Sequence, residues 1–196
     1  MVGEKGHREL GTSCGEIDSA AKIQEMSYLI AQYVGQTKRG IQLCLSDALV
    51  VPALALLYSG IDVLGYLGSS QASATRRTFI DWSDQYLASF LGVKGISGTD
   101  LYSARCGVLH TGQAPSDMVN SGKARELWYR FRGESHINLL TSTPQPAVLI
   151  DIEELSQAFE AAMDAFSADL GSNATLAAQA GAKAEVFFRP GLLLQH

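Results

Sequence analysis

From Glu16 to Val34 apolar residues return every three or four positions: Ile17, Ala20, Ala21, Ile23, Met26, Ile30, Tyr33 and Val34. That period predicts an amphipathic helix over 16–38. Thr37-Lys-Arg-Gly40 closes it with late basic charge and a glycine, as helix C-termini prefer. Residues 41–67 are the most hydrophobic part of the chain and predict a second, buried helix, kinked at Pro52. A third helix is expected over 75–92, with Phe79, Ile80, Tyr86, Leu87, Phe90 and Leu91 inward, after the polar connector Gly68–Thr75. A fourth is expected over 98–112, where Leu101, Ala104, Val108 and Leu109 share a face. Ser97-Gly-Thr-Asp100 supplies its capping residues, and Gly112 its stop. Pro115–Leu127 reads as helical and polar.

After Leu127 the period changes. Trp128–Phe131, Asn138–Ser142 and Ala147–Ile150 are short aromatic or aliphatic runs separated by Arg-Gly-Glu and Pro-Gln-Pro. They predict a small antiparallel β insert over 127–150. Asp151-Ile-Glu-Glu154 resembles a capping box and opens the last long helix, 151–170, striped by Ile152, Leu155, Phe159, Ala162, Met163, Phe166 and Leu170. Residues 1–14 lack periodicity and read as a loose N-terminal arm. Residues 171–196 read as a C-terminal appendage: 171–184 are ambiguous, and Glu185–Leu194 is apolar enough to dock on something. The expectation is a single domain over 1–196, mainly α, a helical bundle with a small antiparallel β insert before the last long helix.

The second helix is where a membrane has to be weighed. Ala48–Gly68 contains one charge, Asp62, and is long enough to span a bilayer. Pro52, Ser59 and Asp62 interrupt it, and neither an aromatic belt nor a basic flank accompanies it, so a core helix is expected and no membrane. Asp62 is then a partly buried carboxylate that needs a partner, with Arg105 the first candidate and a surface position the alternative. The charged N-terminus without an apolar h-region, and three scattered cysteines without Cys-x-x-Cys, lead to an expected cytoplasmic, reducing setting.

The formal net charge of −5 argues against a wholly basic nucleic-acid coat. The charge is uneven, however. Residues 71–140 carry eight basic and six acidic groups, while 141–196 carry two and seven. The one basic third contains Arg105, which allows a local anionic site as well as ordinary solvated charge.

Chemistry concentrates in Tyr102-Ser-Ala-Arg-Cys-Gly-Val-Leu-His110. Arg105 can grip phosphate oxygens with a permanent charge, and His110 can move a proton near neutrality. Together they suffice for metal-free RNA cleavage. Residues five apart on an ideal helix point about 140° apart, so both acting on one substrate requires a distortion near Gly107 or a second copy facing the first. Arg130 and His136 form a decoy of similar spacing, but across Gly133 between strand-like runs. No His, Cys, Asp or Glu constellation has metal-ligand spacing, and no phosphate-cradle, nucleophile-elbow or dinucleotide motif occurs, so no metal and no cofactor is expected. The structural alternative is that Arg105 bridges Asp62 while His110 caps the helix end against Tyr102 or Trp82.

The Arg-x4-His spacing on a late helix of an all-α bundle resembles the signature of the HEPN superfamily. The longer string Asp100-Leu-Tyr-x-x-Arg-Cys-Gly-x-Leu-His110, with Leu57-Tyr-Ser-Gly-Ile-Asp62 upstream, is similar to a branch of bacterial HEPN-like proteins, over roughly residues 40 to 115. The resemblance implies a homodimer whose paired motifs form a metal-independent endoribonuclease site, with Arg105 and His110 catalytic and Asp62, Tyr102 and Cys106 supporting. It implies RNA as substrate, a toxin or phage-defence setting, and a neutralising or regulatory protein partner. Cys106 departs from the Asn, Asp or His that often follows the arginine in active members. The rival expectation is therefore a non-catalytic HEPN-like protein- or nucleotide-binding or dimerisation module.

Overall fold

The computed structural model describes residues 14–111, 117–135 and 147–188. Seven helices and three short strands are found among them. They are α1 (Cys14–Ser46), α2 (Val50–Gly68), α3 (Arg76–Trp82), α4 (Gly98–Cys106), β1 (Glu126–Phe131), β2 (Glu134–Ser135), β3 (Ala147–Asp151), α6 (Ile152–Ser172) and α7 (Ala174–Phe187), with a single helical turn α5 (Asp117–Asn120) ahead of β1. The expected arm 1–14 lies outside the described residues, apart from Cys14.

α1 runs past its expected stop. Ile41 is buried and Cys44 and Leu45 pack on the core, so burial carries the helix through Gly40. Gly40 serves close packing instead: a Cβ there would sit 3.2 Å from Leu56 Cδ1. The single kinked helix expected over 41–67 is two helices. A tight turn at 47–49, with Ala48 at φ 59°, separates α1 from α2. Pro52 then falls in the first turn of α2, where its missing N–H has no intrahelical acceptor to lose.

α2 is the central element. Ala53, Leu54, Leu57, Tyr58, Ile61, Leu64 and Leu67 are buried among α1, α3, α6 and α7. Among the described residues it is the one helix long and apolar enough to cross a membrane, and half of that stretch is buried inside the protein. α3 starts at a reciprocal cap in which Thr78 N–H donates to Thr75 Oγ1 and Thr75 N–H to Thr78 Oγ1. The helical run widens into a π turn at 83–87 and tightens to 3₁₀ over 88–94, keeping Trp82, Tyr86, Leu87 and Leu91 inward; Phe90, expected inward, is exposed, because the α period does not hold through these turns. Gly95 ends it at φ 55°, a conformation glycine adopts without strain.

The expected polar helix over 115–127 is the single turn α5, and β1 already begins at Glu126. The β insert differs from expectation in its pairing. The sheet order is β2-β1-β3, and only β1 and β2 are antiparallel, joined through Arg132 and Gly133 at φ 49° and 79°, the geometry of a two-residue hairpin turn. The main pair, β1 with β3, is parallel, with Glu126 opposite Ala147 and Arg130 opposite Asp151. Residues 132–146 between them are long enough for the crossover that parallel pairing requires. Asn138–Ser142 lies outside the described residues.

Asp151 caps α6, accepting from Glu153 N–H at 3.0 Å, and Ile152, Leu155, Phe159, Met163 and Phe166 are buried as their spacing predicts. The ambiguous segment 171–184 is most of α7, which packs on α1 and α2 through Ala180, Gly181 and Ala184. Lys183 Nζ donates to Tyr66 O at 2.6 Å and to Ser69, binding the orphan carbonyls at the C-terminus of α2. Phe188 is buried with its ring 5.4 Å from Tyr33, whereas Val186 and Phe187 stay exposed, so among the described residues the apolar tail docks through Phe188 alone.

One buried pair ties the sheet to the bundle. The Tyr58 and Tyr129 hydroxyls hydrogen-bond to each other with both rings fully enclosed, and burial pushes both phenols up from their usual range. Tyr129→Phe strands the Tyr58 hydroxyl and is expected to cost about 1–3 kcal/mol. The Tyr58→Phe/Tyr129→Phe double variant should cost less than the two single changes added together. Urea denaturation checks this, and strictly additive losses would mean that the hydroxyls do not depend on each other.

Candidate functional site

The motif helix α4 is fixed at its start. Asp100 Oδ2 accepts from Ser97 N–H at 3.0 Å while Ser97 Oγ accepts from Asp100 N–H at 3.2 Å, the reciprocal capping box. Arg125 adds its backbone N–H to Asp100 Oδ1 and its Nη2 to Asp100 Oδ2, each at 2.7 Å. Burial alone would push the Asp100 carboxyl up, but the Arg125 and Ser97 donors outweigh it and hold it below the usual carboxylate range. Gly98 sits against α3, where a Cβ would lie 2.5 Å from Ile80 O. This clamp sets the position of every residue that follows on α4. The cap is legible in the sequence, but nothing local marks Arg125, twenty-five residues on.

One turn further, the Arg105 guanidinium meets Asp62 of α2. Nε donates to Asp62 Oδ2 at 2.9 Å and Nη2 to the same oxygen at 2.7 Å. The two side chains are 17% and 24% exposed, so the pair is largely shielded yet reaches the surface. Burial would lower the Arg105 pKa, but Asp62, and then Cys106, raise it and hold the guanidinium more firmly charged. The Tyr102 ring lies 5.8 Å from Arg105 Cζ and packs edge-on against Phe79. Its phenol is raised by burial and by Cys106 beside it, against the opposing pull of Arg105 and Arg76. Asp62, Tyr102, Arg105 and Cys106 therefore form one cluster at the α2–α4 contact.

Immediately after Cys106 the backbone opens into a π turn, Gly107–Thr111. A π turn closes its hydrogen bonds between residues five apart and so adds one residue to the turn. A distortion near Gly107 is one of the two routes by which positions 105 and 110 could serve one substrate, the other being a facing second copy. The structure places His110 on that turn by its backbone; its side chain lies outside the described residues.

The decoy has a structural use. Arg130 Nε reaches Asp151 Oδ2 at 3.3 Å, tying β1 to β3 at the start of α6. His136 lies outside the described residues. At the start of α3, Arg77 pairs with Asp81 at 2.7 Å on the surface, while Arg76 is close enough to Tyr102 to act on its phenol. Among the described residues no group of three or more His, Cys, Asp or Glu side chains is placed to hold a metal ion. Neither a family model, nor a curated protein, nor a solved structure matches this chain.

Proposed function

We propose that the chain is a HEPN-like, metal-independent endoribonuclease whose Arg105 and His110 build a composite site across a homodimer. The observation that carries this reading is a charged guanidinium, oriented by Asp62, directly ahead of a π turn that bears His110. In the proposed reaction the RNA 2′-oxygen bonds to the adjacent phosphorus and the bond to the 5′-oxygen breaks. His110 moves the proton, and Arg105 balances the charge that builds on the phosphate oxygens. Asp62 fixes the plane of the guanidinium, and Tyr102 and Cys106 line its base.

Assembly is part of the proposal, because two motif helices facing across a two-fold bring one Arg105 toward the other chain's His110. α2, which carries Asp62, leaves Val51 46% and Leu56 39% exposed, apolar area that a second copy could cover. A neutralising protein partner and a toxin or defence setting, in the cytoplasm, belong to the same reading.

The Asp62–Arg105 pair also favours a second reading. A guanidinium already matched by a carboxylate, and followed by Cys106, can be a structural clasp in a non-catalytic binding or dimerisation module. Sedimentation at micromolar concentration, combined with cleavage assays on matched RNA and DNA strands, separates the two. The expected result is a dimer that cuts RNA alone. A strict monomer removes the composite site, and a folded dimer that leaves all RNA intact assigns the chain to the second reading.

A further inference from the structure

At the start of α4, Gly98 N–H donates to Asp84 Oδ1 at 2.6 Å, and a Cβ on Gly98 would lie 2.5 Å from Ile80 O. One turn along α4, the Tyr102 ring packs edge-on against Phe79, earlier on α3. The two helices therefore run antiparallel, and the start of α3 lies toward the end of α4. Arg76 is one turn before Phe79 and shares its side of α3. Arg105 is one turn after Tyr102 and shares its side of α4. The two arginines flank Tyr102, with Arg105 Cζ 5.8 Å from the ring, and the phenol feels the charge of both.

Their charges are not equally matched. Arg105 donates twice to Asp62, so that pair is neutral. Arg77, beside Arg76 in sequence, is held by Asp81 at 2.7 Å. Arg76 itself is exposed, and among the described residues neither a carboxylate nor a hydrogen-bond acceptor meets it. Helix stability does not account for it, because a cation in the first turn opposes the helix dipole, which favours acidic groups there, and α3 has none. Packing does not account for it either, since the side chain is in solvent. What remains is a permanent cation whose planar fork fits two oxygens of a phosphate, on the far side of Tyr102 from Arg105. We propose that Arg76 binds the RNA phosphate next to the one being cut, leaving the scissile phosphate to Arg105 and His110. This rests on the ribonuclease reading and adds to it the residue that holds the strand in place.

The test measures binding apart from cleavage. A fluorescent single-stranded RNA is titrated by anisotropy into the full chain carrying His110→Ala, at several salt concentrations. Each phosphate contact on a single strand contributes about 0.7 to the slope of log affinity against log salt. Arg76→Gln in that background is expected to lower the slope by about this amount and to weaken binding about tenfold. Arg76→Lys keeps the charge and should keep the slope, and Arg77→Gln should leave it unchanged. With His110 restored, Arg76→Gln should raise KM severalfold at nearly constant kcat, the mark of a contact made equally in ground and transition states. Both arginines are exposed, so the fold is expected to survive each change. An unchanged slope in Arg76→Gln, or an equal fall in Arg77→Gln, overturns the proposal and leaves the ribonuclease reading standing. A chain that binds no RNA overturns both. A chain that binds RNA through Arg76 and never cuts it upholds the phosphate contact and overturns the ribonuclease reading alone.

Discussion

Arg105→Ala and His110→Ala should each slow RNA cleavage by about a hundredfold or more. For His110 this is the usual scale for losing a positioned acid or base. For Arg105 it is the scale for losing a charge donor aimed at the transition state. The two losses should differ in their structural cost. Arg105→Ala leaves Asp62 without its guanidinium, but that carboxylate is 24% exposed and can still be hydrated. Circular dichroism and a denaturation midpoint should therefore accompany the rate, to separate lost chemistry from lost fold. His136→Ala is the control and should change the rate little. A variant that keeps its fold and its wild-type rate after loss of Arg105 would make Arg105 a clasp and not a catalyst.

Asp62→Ala should destabilise the fold by about 2–3 kcal/mol. Asp62→Ala removes the carboxylate oxygen to which Arg105 Nε and Nη2 both donate, and the small remaining exposure keeps the loss below that of a fully enclosed pair. Asp62→Asn keeps an acceptor oxygen for the guanidinium and should lose less. A urea midpoint equal to wild type in Asp62→Ala would show that the pair contributes nothing net, as many exposed pairs do.

Both expectations come from features that the sequence makes visible for physical reasons. Asp62 is the one charge in an apolar helix, so its need for a partner is legible, and Arg105 is that partner. The five-residue spacing of Arg105 and His110 leaves either a distortion near Gly107 or a facing second copy, and the π turn at Gly107–Thr111 is a distortion at that place. Core stripes on α1, α2, α3 and α6 follow the helical period because one face of each is buried. Other features resist local reading. Gly40 looks like a helix stop but lies inside α1 because Ile41, Cys44 and Leu45 beyond it pack on the core, and Pro52 looks like a kink but lies in the first turn of α2. Their meaning depends on a neighbouring element and on where a turn falls. Strand runs at 128–131 and 147–150 show β structure but not whether the two strands pair parallel or antiparallel. α7 hides in Ala- and Gly-rich sequence because small residues carry little periodic signal, even where, as at Ala180 and Ala184, they are buried. Arg125 on Asp100 and Lys183 on α2 are long-range pairings with no local mark.

End-group analysis of RNA cut in the presence of chelator tests the central claim most directly. The Arg105/His110 mechanism predicts 2′,3′-cyclic phosphate and 5′-hydroxyl ends, no dependence on divalent metal, and no cleavage of the matching DNA, which lacks the attacking hydroxyl. Ends bearing 3′-hydroxyl and 5′-phosphate, or cleavage that chelator abolishes, would contradict it.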